Sequence, residues 1–373
     1  MRRPAKGAAP RAALSRPAAA SRFLSAARCA AAAAFLIAVA PTASFAEGGE
    51  ATGPAFTLGG TVSQRSSLSA SLSDGADFPE ASLGYSGMTG LETTLRAASG
   101  PARAEASLEA TVASGAAAGA GPEPLVTASV RTLYASLRGG AIKASLGRQV
   151  LNFGKGALYS PVDLFAAAEY SPLAISRRGT DALRLTAALG PLALAEAVAA
   201  PKADPAQGLY ALRAAGYLAG LADASLVGAW NGAEEAWMAG GDAKVDLPFA
   251  SVYAEAVFAF PSGGGGPEPR AAVGFDASLG DLVLAAEYFY DSRPAAGTAT
   301  GAHNLYASLA YGLSDYAKLA ASASVDLEAG TGSGGLVASL EVEQGTFLGL
   351  SATLTRTGSS TTAAAGLSLE LRF

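Results

Sequence analysis

The chain has 373 residues, of which 15% are charged, with 26 basic and 31 acidic side chains and one cysteine. Seven of the basic residues and none of the acidic ones lie in residues 1–46, so the remaining chain carries a net charge of −12. An acidic chain of this kind has no electrostatic basis for binding nucleic acid. Cys29 lies within the first 46 residues, so the rest of the chain can form neither disulfides nor thiolate metal sites.

Residues 1–46 have the composition of an export signal. Basic residues run from Arg2 to Arg28, an apolar run covers residues 30–40, and Ser44 and Ala46 supply small side chains before Glu47. This order predicts a secretory signal peptide cleaved after Ala46. The alternative is a membrane anchor, but the apolar run is well short of the ~20 residues of a spanning helix.

The remainder, residues 47–373, alternates between apolar and polar side chains with a period of two. For example, Glu105, Ser107 and Glu109 alternate with Ala106 and Leu108. This period predicts β-strands with one apolar and one polar face. Segments of about 9 to 14 residues, apolar faces rich in alanine and leucine, and aromatic residues near segment ends favour a membrane barrel over a soluble sandwich.

Segment counting predicts a single-domain, all-β, transmembrane antiparallel barrel of about 18 strands, with a range of about 16 to 20. An even number places both ends of the barrel chain on the periplasmic rim. Short turns should lie on that rim and longer loops on the other. The predicted longer loops are residues 74–79, 115–124, 150–179, 201–207, 261–269, 292–302, 328–334 and 357–362. In and just after the 328–334 segment, Gly330, Gly332 and Gly335 have a dinucleotide-motif spacing, but we interpret them as a flexible loop because a strand follows where the motif needs a helix.

The last predicted strand ends the chain with an apolar alternation. Leu367, Leu369, Leu371 and Phe373 alternate with polar residues. This resembles the terminal signature of outer-membrane proteins, which the barrel-assembly machinery recognises. The resemblance implies that machinery as a partner, and the apolar outer face of the predicted barrel implies contact with outer-membrane lipid.

Residues 150–179 interrupt the alternation. Gly154, Gly156, Pro161, Pro172 and Gly179 favour backbone conformations unsuited to a continuous strand. The loop is too long for a simple connection and too apolar for a solvated one, so we expect it to fold inward and pack on the inner wall.

The motifs of this region resemble a segment of several porin-like outer-membrane barrel families, in which a strand ending in Gly-Arg-Gln leads into a long loop. The matching elements are Gly-Lys-Gly, Ser-Pro-Val-Asp-Leu-Phe and Arg-Arg-Gly-Thr-Asp, in about a tenth of the chain. The resemblance implies a channel or uptake barrel, but it assigns no binding residue.

The loop and its flanking strands are locally basic in an acidic protein. We expect these charges to form one side of a pore constriction, opposite carboxylates of the lumen wall, which would create a transverse field. The alternative is that the same charges pair and fix the loop to the wall. The candidate constriction residues are Arg148, Lys155, Asp163, Arg177, Arg178, Asp181 and Arg184, opposite Glu105, Glu109, Glu255, Glu287 and Glu341.

These features predict an outer-membrane channel for passive diffusion of small hydrophilic solutes, without a cofactor. One alternative is a plugged barrel that acts as an adhesin or structural surface protein. The other is an outer-membrane enzyme using His303, the only histidine, although a surface position suits it better. The transported solute and the oligomeric state are left open.

Overall fold

The structure is a computed structural model that describes residues 55–73, 80–117, 125–165, 168–292 and 302–373. The signal peptide predicted for residues 1–46 lies outside these ranges. The described chain forms a closed antiparallel barrel of 18 strands, which confirms the predicted fold class and strand number. No helix in these ranges is both long and apolar enough to cross a membrane.

Twenty strands follow one another along the described ranges, and two of them, β6 and β7, form a separate hairpin inside the long loop. The strands are β1 (Ala55–Ser73), β2 (Glu80–Ser99), β3 (Ala102–Ala117), β4 (Leu125–Gly139), β5 (Ile142–Gln149), β6 (Ala168–Ser171), β7 (Ala174–Arg177), β8 (Thr180–Ala188), β9 (Ala193–Ala200), β10 (Leu209–Leu218), β11 (Ala222–Asn231), β12 (Ala236–Asp246), β13 (Ala250–Pro261), β14 (Glu268–Leu279), β15 (Leu282–Asp291), β16 (His303–Gly312), β17 (Ala317–Asp326), β18 (Thr331–Glu343), β19 (Thr346–Thr357) and β20 (Ser360–Arg372).

Each barrel strand pairs with its neighbours in sequence, and β5 pairs with β8 across the long loop. The barrel closes where β1 pairs with β20, with Ser66 opposite Leu367. Backbone hydrogen bonds between Gly60 and Phe373 extend this seam to the last residue. Closure leaves no barrel edge unpaired, as a membrane requires.

Strand alternation sorts the side chains into an outward and an inward face. Leu146, Leu212 and Leu226 point outward and are 65%, 68% and 72% exposed, as expected for residues that contact lipid. Glu196 and Glu287 point inward and are buried. The apolar outer face, with buried carboxylates on the inner face, is that of a membrane barrel, the reverse of a soluble protein.

The two rims differ in the length of their connections. One rim has tight turns, with glycines of positive φ at positions such as Gly140, Gly280 and Gly345. The other rim carries the longest connections, and both ends of the described chain lie on the tight-turn rim.

Two of the predicted loops are wrong in extent. The segment predicted as loop 328–334 is largely strand, since β18 begins at Thr331. Gly332 and Gly335 therefore lie within a strand, and the interpretation of this stretch as a flexible loop is corrected. Similarly, only two residues separate β19 from β20, where a loop over 357–362 was expected. The small side chains and glycines that suggested loops are accommodated here by strand pairing. Residues 74–79, 118–124 and 293–301 of the other predicted loops lie outside the described ranges.

Candidate functional site: the lumen and its inward loop

The described part of the loop between β5 and β8, residues 150–165 and 168–179, lies inside the barrel. Leu151, Phe153 and Val162 are almost fully buried. They belong to one apolar cluster with inward-facing residues of β8 to β13, among them Val198 and Val257. The inner wall of β8 to β13 is apolar toward the long-loop rim, and the loop covers this part of the wall. The loop thus fills one side of the lumen with a packed core.

Glu255 on β13 attaches the first turn of the loop to the wall. Its carboxylate accepts hydrogen bonds from the backbone N–H groups of Lys155 and Gly156, the latter at 2.7 Å, and from the Ser160 hydroxyl at 2.6 Å. The N–H of Val162 adds a longer contact of 3.4 Å. A buried carboxylate needs such donors to offset its desolvation. Glu255 is therefore a ligand for the loop backbone.

Glu287 on β15 performs the same role for the next part of the loop. It accepts from the N–H groups of Ala157, Leu158 and Tyr159, the last two at 3.0 and 2.8 Å. The hydroxyl of Tyr253 donates to it at 2.5 Å. Two neighbouring wall carboxylates together bind the backbone amides of residues 155–159. Their burial places both away from any open pore, although both were predicted as lumen-lining carboxylates.

Arg177 and Asp163 hold the loop together internally. Asp163 accepts from the N–H groups of Phe153 and Gly154, and the Arg177 guanidinium lies 3.2 Å from its second oxygen. Arg177 also donates to the Gly156 carbonyl at 3.0 Å. Burial raises the pKa of Asp163 above its ordinary value, while these amides and Arg177 act in the opposite direction. Asp163 and Arg177 therefore stabilise the conformation of the loop.

The β6–β7 hairpin reaches the opposite wall of the barrel. The Tyr170 hydroxyl lies 3.3 Å from Ser322 Oγ on β17, and Ser322 donates to the Pro172 carbonyl at 3.0 Å. Pro172 packs on Gly335 of β18, where a Cβ atom would collide with the Pro172 carbonyl. Tyr159 adds a hydrogen bond of 2.8 Å to Ser324. The loop therefore spans the lumen from β5 to β17 and β18.

Two further groups of ion pairs lie on the covered arc, which is the inner wall of β8 to β13 beneath the loop. Arg184 and Arg213 both contact the buried Glu196, and the Arg213 guanidinium lies 5.1 Å from the centre of the Phe153 ring. Lys155 reaches Asp223 on β11 at 2.5 Å. It also lies 3.8 Å from the buried Asp242 on β12. Lys155, Asp163 and Arg177 thus all take part in contacts that fix the loop, whereas Arg184 pairs with Glu196 within the wall.

Arg178 is the predicted loop cation that stays exposed. Its guanidinium lies 2.7 Å from Glu169 across the hairpin, and the two side chains are 83% and 52% exposed. Glu169, Ser171, Ser176 and Arg178 are all exposed on the hairpin. This face is small and polar, whereas Tyr170 contacts the wall.

Arg148 and Asp181 lie on the outer face of the barrel, which corrects their predicted place in the constriction. They pair across β5 and β8 with contacts of 3.0 and 2.5 Å. Arg148 and Asp181 lie on the same face of β5 and β8 as the outward pair Leu146 and Leu183. Each is an even number of residues from its outward leucine, so alternation turns it outward at the long-loop end of its strand.

The arc from β1 to β4 keeps an exposed, charged inner wall. Glu105 pairs with Arg96 at 2.8 Å, and Glu92 pairs with Arg131 at 3.0 Å. Glu109 faces inward opposite Glu92 and is exposed. Glu341 lies elsewhere, at the tight-turn rim, where it accepts from the Gly345 N–H at 3.0 Å. Of the predicted carboxylates, only Glu105 and Glu109 belong to this wall.

The inward arginines of this arc were absent from the predicted site. They share the inward face with the predicted carboxylates, and strand alternation could have identified all of them except Arg131, which lies at a β-bulge. They are Arg65, Arg96, Arg103 and Arg131.

His303 lies on the outward side of β16 near the long-loop rim. Its Nδ1 lies 2.6 Å from the Tyr288 hydroxyl, and the Tyr290 ring is 5.2 Å away between centroids. Aromatic residues at this height suit the interface between lipid and water. No serine hydroxyl is recorded beside His303 within the described ranges, as a histidine-activated nucleophile would need.

The chain matches no protein-family model and no curated protein sequence. Solved structures do match it. OccK7 (OpdD) of Pseudomonas aeruginosa is 10% identical with a TM-score of 0.57, covering 85% of this chain and 98% of its own. OccK5 (OpdH) and OpdQ of the same organism are 9% and 8% identical, with TM-scores of 0.54 and 0.53 and the same coverage. At these identities the likeness concerns the fold. The chain is an 18-stranded antiparallel barrel with the fold of outer-membrane porins.

Proposed function

We propose that this chain is a porin-type channel of the bacterial outer membrane that lets small hydrophilic solutes diffuse passively. The supporting observation is the unequal exposure of the inner wall. Glu196 and Asp242 side chains on the covered arc are 0% exposed, whereas Arg96, Arg131 and Glu92 on β2 and β4 are 65%, 39% and 38% exposed. An 18-stranded barrel is wide enough to hold both a packed loop and a water-filled passage.

Selection in this channel would combine size and charge. The exposed polar face of the β6–β7 hairpin would form one side of the narrowest part, with Arg178 and Glu169 at its surface. The charged wall of β1 to β4 would form the other side, including Glu105, Glu109 and the inward arginines. Low-dielectric walls strengthen the field of such charges on a passing solute.

Planar bilayers test the proposal. Residues 47–373, refolded and inserted, should give stepwise single-channel conductance with a reversal potential in a salt gradient. Folding is checked independently by heat-modifiable migration on unboiled gels. A correctly folded barrel that conducts no ions would refute the channel.

The second candidate is a plugged barrel with a structural or adhesive role at the surface. It is favoured by the attachment of the loop to both walls, at Glu255 and Glu287 on one side and at Ser322 and Gly335 on the other. This candidate predicts the silent but folded barrel. Neither candidate uses covalent chemistry, so neither requires an enzymatic role for His303.

The C-terminal strand is the proposed contact for the barrel-assembly machinery. Phe373 directly follows β20 and shares two backbone hydrogen bonds with Gly60 in the seam between β1 and β20. Because β20 closes the barrel by pairing with β1, the edge that it presents to β1 is unpaired before closure, which supports this assignment.

A further inference from the structure

In the described ranges, the lipid-facing surface carries one patch of clustered polar side chains away from the strand ends; Ser114 of β3 is a separate outward polar residue, opposite Gly87. Gln64 and Ser66 on β1 and Thr89 and Thr93 on β2 share the outward face with exposed leucines such as Leu68. On β4, β5 and β8 to β20, outward positions more than two residues from a strand end carry only apolar or aromatic side chains in the described ranges. The patch is therefore not a general property of this surface.

The patch is enclosed by apolar residues on every side. Along β1 it lies between Val62 and Leu68, and across the seam Gln64 is opposite Leu369. On the other side, Thr93 is opposite Leu108 of β3. A position surrounded in this way is within the apolar belt, where water does not compete for hydrogen bonds.

Gln64 is only partly satisfied within its own chain. The Thr89 hydroxyl donates to Gln64 Oε1, and the described residues offer no acceptor to the Gln64 amide nitrogen. A side-chain amide has two N–H donors, and leaving them in hydrocarbon is costly. Lipid tails cannot accept these hydrogen bonds, but another protein surface can.

We infer that the outer face of β19, β20, β1, β2 and β3 is an interface with a second copy of this chain. Glutamine and threonine side chains both donate and accept, so the same patch on another copy can satisfy the Gln64 amide. The neighbouring surface is shallow enough for close approach: a groove beside the patch is lined by Ala70, Ala363 and Ala365 and flanked by leucines. Small side chains allow close backbone contact between membrane segments.

The area is sufficient for a specific contact. Five strands spaced about 4.8 Å apart over a belt about 25 Å tall present about 600 Å² per copy. Two copies would bury about 1,200 Å² in total, which is the lower end for specific protein interfaces.

The test is the mass of the refolded protein in a mild detergent, measured by sedimentation over a range of protein concentrations. We expect the wild-type chain to form oligomers, and Gln64→Leu to weaken association about tenfold because it removes interfacial hydrogen bonds. Gln64→Trp should give monomers through steric exclusion. The matched control is Leu226→Trp, at an outward position on β11, which should behave as the wild type.

Several outcomes would overturn the inference. One is a wild-type protein that stays monomeric at every concentration, and another is an oligomer that Gln64→Trp leaves intact. A monomer that retains lipopolysaccharide only when Gln64 is present would assign the patch to lipid instead.

Should Gln64→Trp fail to fold, single cysteines give a second measurement. Residues 47–373 contain no cysteine, so Gln64→Cys can be treated with a short bis-maleimide. It should yield covalent multimers, and Leu226→Cys should not. Equal cross-linking at both positions would refute the interface. Single-channel conductance is measured separately, because Gln64 faces away from the lumen and its substitution tests the interface and not the channel.

Discussion

Replacing Glu255 by alanine should release the first turn of the inward loop. The change removes a buried acceptor and leaves the N–H groups of Lys155 and Gly156 and the Ser160 hydroxyl without their partner. A hydrogen bond to a charged group is worth about 1.5 to 3 kcal/mol. Water can enter the space and replace part of this, so we expect loop docking to weaken by about 3 to 5 kcal/mol.

Hydrogen exchange measures this loss directly. Because about 1.4 kcal/mol is a factor of ten, the protection of the amides at residues 155 and 156 should fall at least about 100-fold. The barrel ladder should keep its protection, since Glu255→Ala leaves the strand backbone paired. The matched control is Glu109→Ala, which removes an exposed inward carboxylate on β3 that has no recorded bond to the loop. A loss of protection below about tenfold, or one equal to that of the control, would refute the role of Glu255.

Two other predictions concern the hairpin charges and the seam. Arg178→Gln should shift the reversal potential toward cation selectivity because it removes an exposed cation. Arg177→Gln should instead increase current noise, because it loosens the loop. Equal selectivity of the wild type and Arg178→Gln would exclude Arg178 from the constriction. Gly60→Ala should lower the yield of folded barrel, since its Cβ would lie 2.7 Å from the Phe373 ring and 2.6 Å from the Glu92 carbonyl. Gly139→Ala, with no atom within 4 Å of its Cβ, is the control, and the two yields on unboiled gels should differ.

The fold could be predicted from the sequence because one local rule determines it. Period-two alternation, an apolar outward face and the contrast of turn and loop lengths together specify a membrane barrel of about this size. The same rule also determines facing: Arg148 lies two residues from Leu146, so counting would have placed it outward. Its proximity to the loop in sequence favoured the wrong face.

The contacts of the loop could not be predicted in the same way. Glu255 and Glu287 lie about 100 and 130 residues from the amides they bind. Neither a motif nor a period connects residues at such separations. The sequence indicated a loop with too many apolar groups to be solvated, and it supplied the carboxylates, but not their pairing. The hypothesis that charges pin the loop to the wall fits these residues, whereas Arg178 alone among the predicted loop cations is exposed.

The covered arc has a consequence for the order of assembly. The loop core packs on β8 to β13, which follow the loop in the chain, and the hairpin tip contacts β17 and β18, which come later still. The loop can therefore reach its final position only after most of the wall exists. Until then, Leu151, Phe153 and Val162 lack their apolar partners. Biogenesis of this barrel thus couples maturation of the passage to insertion of the C-terminal strands, so a chain arrested before β17 would carry an unfinished lumen even if its first strands were already in the membrane.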